Sequence, residues 1–423
     1  MTVESTFSES KSGSKAGAKA EPFWPGRTAL WVLALCFTLA LVGRGIGEAF
    51  TVFLLPISET FGWARADVVS IYSLASLSMG LASPFVGRLF DLSGPRVVYA
   101  LGLLLLGAGL TLAAFADKLW QLQLCVGFAA GLGISCLGNV TSSLLLGRWF
   151  GNRLPTAMAV VYSATGAGVL TLLPTSQVMI DSFGWRGTYH VLGGVLLLLI
   201  VPLVLLPWRR IAKNTVPSTA SSSPHLADEG LTLLHALRHH AFWALFSTFF
   251  FTAIGMYAIA VQVVAYLVEV GFPPLQAATA WGLSGVVLVV GMLTVSWLDS
   301  LIGRRQAILF SYGLTTIGIG FLWLLHRYPN LWLLGGFLLC FGSTIGSRGP
   351  LITAAAINIF RGKRVGTIFG TISIGSGLGS ALGSLTGGII HDWSHSYDLV
   401  ILFALVNVLL GMIPFLTVRA LRE

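Results

Sequence analysis

Gly87-Arg88-Leu89-Phe90-Asp91-Leu92-Ser93-Gly94-Pro95-Arg96 joins two long apolar runs. Its chemistry is that of a tight, charged reversal between helices. The glycines allow a tight turn. Asp91 with Arg88 and Arg96 makes a charged latch at the helix ends, while Gly87 permits close packing. A degraded copy stands at Trp297-Leu298-Asp299-Ser300-Leu301-Ile302-Gly303-Arg304-Arg305. It has one more residue between aspartate and glycine and lacks the leading glycine. Two such loops, one in each half of the chain, point to an internal repeat.

Outward from these loops the chain is apolar. Of 423 residues 55% are hydrophobic and 10% charged, with mean hydropathy +0.84. A soluble domain carries about 25% charge, so this chain belongs in a bilayer. Each crossing needs ~20 apolar residues, and twelve spans are predicted at roughly 28–58, 66–90, 96–116, 119–149, 154–180, 187–207, 240–268, 275–298, 305–325, 331–360, 365–390 and 397–418. The longest polar break follows Trp208 and includes Pro217-Ser218-Thr219-Ala220-Ser221-Ser222-Ser223-Pro224. The expected organisation is a disordered cytosolic tail (1–26), a six-helix bundle (27–208), a cytosolic linker (209–238) and a second six-helix bundle (239–423). The expected fold class is an all-α membrane protein of two pseudo-symmetric halves.

Cations set the orientation. With the N-terminus inside, 19 of the 25 Lys and Arg residues fall in cytoplasmic segments and 4 in outer ones. The remaining two, Arg44 and Arg348, lie within spans. Both termini are therefore expected in the cytoplasm, with the chain in the cell (inner) membrane. The net charge of +9 follows from this topology and from contact with anionic lipid, and it requires no nucleic-acid partner.

Several function classes are disfavoured. Cys36, Cys125, Cys136 and Cys340 all lie within spans and show no metal-ligand spacing. There is no nucleophile elbow, no phosphate loop and no HExxH motif, so neither enzyme chemistry nor a cofactor is indicated. No soluble stretch is large enough for the nucleotide-binding domain of an ATP-driven pump.

The loop at 87–96 resembles the signature of the major facilitator superfamily, G-x-L-x-D-x-x-G-x-[RK], at all five defined positions. Within that superfamily the chain resembles the monocarboxylate-transporter and oxalate:formate-antiporter branch. The similarity is carried by Gly45-Ile46-Gly47-Glu48-Ala49-Phe50-Thr51-Val52-Phe53-Leu54-Leu55-Pro56, Phe61-Gly62-Trp63-Ala64-Arg65-Ala66-Asp67, Arg148-Trp149-Phe150-Gly151-Asn152-Arg153 and Phe183-Gly184-Trp185-Arg186. The resemblance implies two related six-helix halves, alternating access and a fold complete as a monomer. It also implies charged residues in the eighth and sometimes the eleventh span. Here span eight has none from Ala278 to Leu298, and span eleven has none before His391. The site must be argued from this chain.

An arginine at membrane depth is costly and usually faces a watery cavity or a partner. Arg44 and Arg348 sit in spans one and ten, which line the central cavity in the superfamily. A guanidinium fork suits a carboxylate. Arg44 either contacts substrate or braces Glu48, one turn on; Arg348 has no acidic residue in its own span and is expected to anchor an anion. Glu48 is the one acid well inside a span, either a proton carrier or the permanent partner of Arg44. Asn139, Tyr257 and Gln262 are candidates for polar contacts to substrate, or else interhelical hydrogen bonds. Gly375, Gly379, Gly383 and Gly387 make a smooth stripe for close helix approach, and Pro174 and Pro350 are possible kinks.

The expected function is secondary active transport of a small organic anion, a mono- or dicarboxylate, with protons co-transported. The alternative is a proton-driven drug or metabolite exporter, which usually shows an arginine early in span four and a G-x-x-x-G-P run in span five. Neither stands here: Leu122 to Val126 holds no arginine, and span five reads Thr165-Gly166-Ala167-Gly168-Val169-Leu170-Thr171-Leu172-Leu173-Pro174. A non-transporting sensor of this fold would call for a large soluble domain, which the sequence lacks.

Overall fold

A computed structural model of the chain describes residues 27–150, 154–208, 211, 233–360 and 365–418. The expected tail and most of the expected linker lie outside the described residues. Hydrocarbon offers backbone N–H and C=O groups no partner, so each crossing segment must satisfy its own, which a helix does. Accordingly the described residues are helical, with no strand among them. Nine of their helices are long and apolar enough to cross a membrane.

The first is α1 (Arg27–Phe61). The second, α2 (Arg65–Ala113), runs for 49 residues, about 75 Å at 1.5 Å per residue, against a hydrocarbon core of ~30 Å. It is broken at Gly94, where φ is 78° and ψ 172°. This is the glycine of the loop quoted above, and a side chain there would strain the backbone. Gly303 occupies the corresponding place in the second half with φ 86°. After a short helix, Leu119–Leu122, come a π-helical turn, Gln123–Ala130, then α3 (Gly131–Leu137) and α4 (Asn139–Phe150), parted by an extended Gly138. The helix α5 (Leu154–Leu205) is again overlong and breaks at Gly184, φ 71°.

In the second half, α6 (His240–Ala260) and α7 (Val263–Glu269) are parted at Val261 and Gln262. Then follow α8 (Pro274–Ile302) and α9 (Arg304–Arg327). A π-helical turn, Leu338–Gly342, follows α10 (Leu331–Phe337), mirroring the one in the first half. Residues 343–347 leave the helix, with Gly346 at φ 81°, before α11 (Arg348–Ile359) resumes. The bend next to Arg348 therefore precedes Pro350, which sits in the first turn of α11 where a proline costs no hydrogen bond. The chain closes with α12 (Val365–Ser394) and α13 (Asp398–Thr417).

Packing within the second half rests on the glycine stripe. A Cβ at Gly375, Gly379, Gly383 or Gly387 would lie 2.9, 2.4, 2.3 or 2.9 Å from the carbonyl oxygens of Phe246, Phe250, Ile254 and Ala258 on α6. Both series step by four residues, so the two helices meet backbone to backbone along one face each. Between the halves, α5 meets α8 in the same way: a Cβ on Gly166 would stand 2.1 Å from the Gly285 oxygen, and the reverse holds.

A second extensive contact between the halves is α2 on α12, and α1 also touches α7. Among the described residues, hydrogen bonds and ion pairs between the halves gather at one end of this pair. Ala64, the N-cap of α2, offers no side-chain acceptor. Asp392 supplies one from α12, accepting from the Arg65 amide at 2.9 Å and the Ala66 amide at 2.7 Å. Anionic oxygen at a helix N-terminus is favourable by charge as well as by hydrogen bonding. The Arg65 guanidinium pairs with Glu269 of α7. His391 stands 3.8 Å from Glu269 and 3.7 Å from Asp392, and deeper along the seam Ser73 and Ser384 share a hydrogen bond of 2.7 Å.

Two outcomes follow. Gly383→Leu forces α12 off α6 at a cost of about 1–3 kcal/mol, which a thermal-unfolding scan in detergent reads as a lower Tm, whereas Gly194→Ala, facing open space, leaves it unchanged. Asp392→Ala removes two amide caps, worth about 1–2 kcal/mol, and opens that end about 5- to 30-fold more often. The rate of thiol labelling of a cysteine placed at Ser73, in a chain freed of its four native cysteines, measures this; an unchanged rate shows that the contact does not hold the halves together.

Candidate functional site

A cavity of about 60 Å³ opens where α1, α2, α6 and α12 converge. Its polar wall holds Arg44, Glu48, Tyr72, Ser76, Tyr257 and Ser380, and among the described residues Arg44 and Glu48 are the only charged ones that line it. The two share a face of α1 because they stand one turn apart.

The guanidinium of Arg44 is poorly used by the protein. Its Nη1 donates to Met79 Sδ at 3.3 Å, a weak acceptor. Among the described residues the buried Nε has no partner. The carboxylate of Glu48 lies 3.9 Å from Nη2, beyond direct hydrogen bonding. Both side chains keep some exposure, 24% for Arg44 and 21% for Glu48. The sequence left open whether Arg44 braces Glu48 or meets a ligand, and this geometry is a loose pair with free donors. Tyr72 and Tyr257 face each other across the two halves, ring centroids 6.1 Å apart.

Arg348 solves the same problem differently. It is 3% exposed and does not line the cavity. Its Nε donates to Ser311 Oγ and its Nη2 to the Ser311 carbonyl, both at 2.9 Å, and Nη2 also reaches Thr315 Oγ1. The guanidinium carbon lies 4.0 Å from the centre of the Tyr312 ring. No carboxylate pairs with it among the described residues. Emerging from the turn at Gly346, the side chain is committed to α9, so the expected shared site of Arg44 and Arg348 is not assembled in this arrangement.

The other expected residues divide. Tyr257 lines the cavity. Gln262 is buried at the break between α6 and α7, where Nε2 donates to the Ala258 carbonyl at 3.4 Å and Oε1 has no partner. It borders a separate, smaller cavity with Tyr266 and Tyr397. Asn139 opens α4 just after the Gly138 break, and its side chain lies outside the described residues. In the expected latch, Gly87 is half-buried, Gly94 makes the turn, and Asp91 and Arg96 are exposed with no ion pair among the described residues. The sequence missed Tyr72, Ser76 and Met79, which look like core positions of span two. His391, not among the expected site residues, is brought by the fold to the contact between the halves.

Comparison with known proteins gives the family of the chain. The family model of the Major Facilitator Superfamily matches residues 33–347 and 287–423. The chain is 24% identical over 401 residues to the uncharacterized MFS-type transporter YcxA of Bacillus subtilis (strain 168), covering 93% of this chain and 97% of that one. It is 27% identical over 325 residues to monocarboxylate transporter 3 of Rattus norvegicus, 76% of this chain and 65% of that one. With monocarboxylate transporter 12 of Homo sapiens it shares 26% over 366 residues, 81% of this chain and 70% of the relative. The chain spans about two thirds of the length of these two mammalian relatives. It belongs to the Major Facilitator Superfamily, a multi-pass membrane transporter and not an enzyme, similar over most of its length to the monocarboxylate-transporter branch.

Proposed function

We propose that this chain is a secondary active transporter of a small organic anion bearing one carboxylate, moved together with a proton by alternating access. The observation that carries the reading is the under-used Arg44 guanidinium, set one turn from Glu48 in a cavity whose lining charges otherwise cancel. A carboxylate entering alone would leave that low-dielectric site with a net negative charge, which is costly. A proton on Glu48 restores neutrality and frees Arg44 to bind the carboxylate with two parallel hydrogen bonds. Anion and proton therefore bind better together than apart, which is the thermodynamic condition for coupled transport. The names of the two mammalian relatives support the same substrate class.

Arg44 takes the anchoring role, and Arg348 braces α11 on α9. Twelve crossings agree with the helices described: α2 and α5 each supply two, parted at Gly94 and Gly184, and α10 with α11 forms one broken crossing. With both termini in the cytoplasm, the contact among Arg65, Glu269 and Asp392 closes the outer side, and the chain works as a monomer in the cell membrane.

Uptake of labelled lactate, pyruvate, butyrate and succinate into proteoliposomes, with and without an inward proton gradient, tests this. Saturable, gradient-driven uptake of a monocarboxylate is expected. If no anion moves, the reading fails and a proton-driven exporter takes its place. Arg44→Gln removes charge-assisted hydrogen bonds worth about 1.5–3 kcal/mol and raises KM about 10- to 150-fold. Glu48→Gln keeps exchange of labelled for unlabelled anion but loses the response to the proton gradient; retained gradient dependence would remove Glu48 from the coupling. Arg348→Gln lowers the Tm, at about 1–3 kcal/mol for the lost hydrogen bonds, and leaves KM within about twofold.

A further inference from the structure

We propose, on the basis of the transport reading above, that the site selects monocarboxylates with an apolar tail and discriminates against hydroxy acids and dicarboxylates, because the cavity continues into an apolar pouch inside the first half of the chain. The two ends of the cavity differ in chemistry and in origin. The polar groups, Arg44, Glu48, Tyr72, Ser76, Tyr257 and Ser380, come from both halves and mark the seam between them. Beyond them the lining is Phe53 of α1, Leu106 and Leu110 of α2, Val126 and Ala130 of the π-helical turn, and Ile134 of α3. All of these precede residue 208. Tyr189 of α5 closes this side with its ring stacked on Phe53 at 4.3 Å. Among the described residues, no charged residue, amide or acid other than Arg44 and Glu48 lines the space, and on this side Tyr189 alone brings a hydroxyl.

A ligand whose carboxylate meets Arg44 must therefore send the rest of its body either back to the seam or into the pouch. The pouch rewards methyl and methylene groups, each worth about 10- to 200-fold in selection by a hydrophobic pocket. A hydroxyl placed there leaves its water shell and finds little to replace it, a discrimination of up to about a hundredfold. A second carboxylate fares worse, since a buried charge needs a partner and the Arg44 guanidinium is already taken. The space is short. At about 60 Å³ it suits a carboxylate with a tail of a few carbons.

The test compares propionate, butyrate, 3-hydroxybutyrate and succinate as substrates of the purified full chain in proteoliposomes. Butyrate is expected to be preferred over 3-hydroxybutyrate by about tenfold or more in kcat/KM, with succinate the poorest. Two variants change the pouch and leave the polar end intact. Ala130→Leu fills it and is expected to reverse the preference between butyrate and propionate while propionate still moves, which also shows that the variant is folded. Val126→Thr, close to isosteric, adds a hydroxyl partner and is expected to narrow the gap between butyrate and 3-hydroxybutyrate severalfold. If these acids move equally well, or if both variants keep the parent's ratios, the pouch does not hold the tail, and the inference is overturned while the transport reading stands. If no monocarboxylate moves at all, both fall together.

Discussion

Every feature of this molecule answers to one constraint: inside a bilayer each backbone N–H and C=O must find its partner within the protein. Helices meet it by default. Departures are therefore informative, since a broken helix at membrane depth survives only where other protein or a cavity covers it. Three interior breaks, at Gly138, at Val261 with Gln262, and at residues 343–347, lie in the segments that precede or follow the candidate site residues along the chain. Gln262 keeps its backbone paired at such a break, its N–H donating to the Ile259 carbonyl at 3.0 Å and its carbonyl accepting from the Tyr266 N–H at 2.8 Å. The π-helical turns at 123–130 and 338–342 repeat one departure in both halves, a structural echo of the loop repeated at 87–96 and 297–305.

The two intramembrane arginines show how one residue type meets the same cost in opposite ways. Arg348 dissolves its charge in hydroxyls, a carbonyl and an aromatic face supplied by α9, and needs no counter-ion. Arg44 keeps its charge near a carboxylate that does not quite reach it and leaves donors without acceptors. On the reading proposed above, the satisfied cation is a structural part and the unsatisfied one beside the cavity is the binding element.

This contrast explains what was legible in the sequence. The turn at Gly94, the glycine stripe facing α6 and the isolation of Glu48 depend on local chain chemistry or on a four-residue period, so they could be read directly. The direction in which Arg348 points could not, because it depends on a left-handed Gly346 and on hydroxyls from a helix some thirty residues earlier in the chain. Tyr72, Ser76 and Met79 carry no periodic signal that separates a cavity wall from a core. The cap that Asp392 places on α2 joins residues more than three hundred positions apart, and no pattern along one helix announces such a pairing.

The meeting of Gly166 with Gly285 has a mechanical meaning. Helices usually lock by ridges of side chains seated in grooves, and one cannot turn on the other without lifting out of register. Here two glycines touch backbone to backbone, with only the side chains of Val289 and Pro174 close beside the joint. Such a joint resists separation but offers little resistance to tilting, in the manner of a rounded bearing. A rocking motion about it would need no rotamer to change, so the barrier to swinging the halves would be set at their rims and not at their centre.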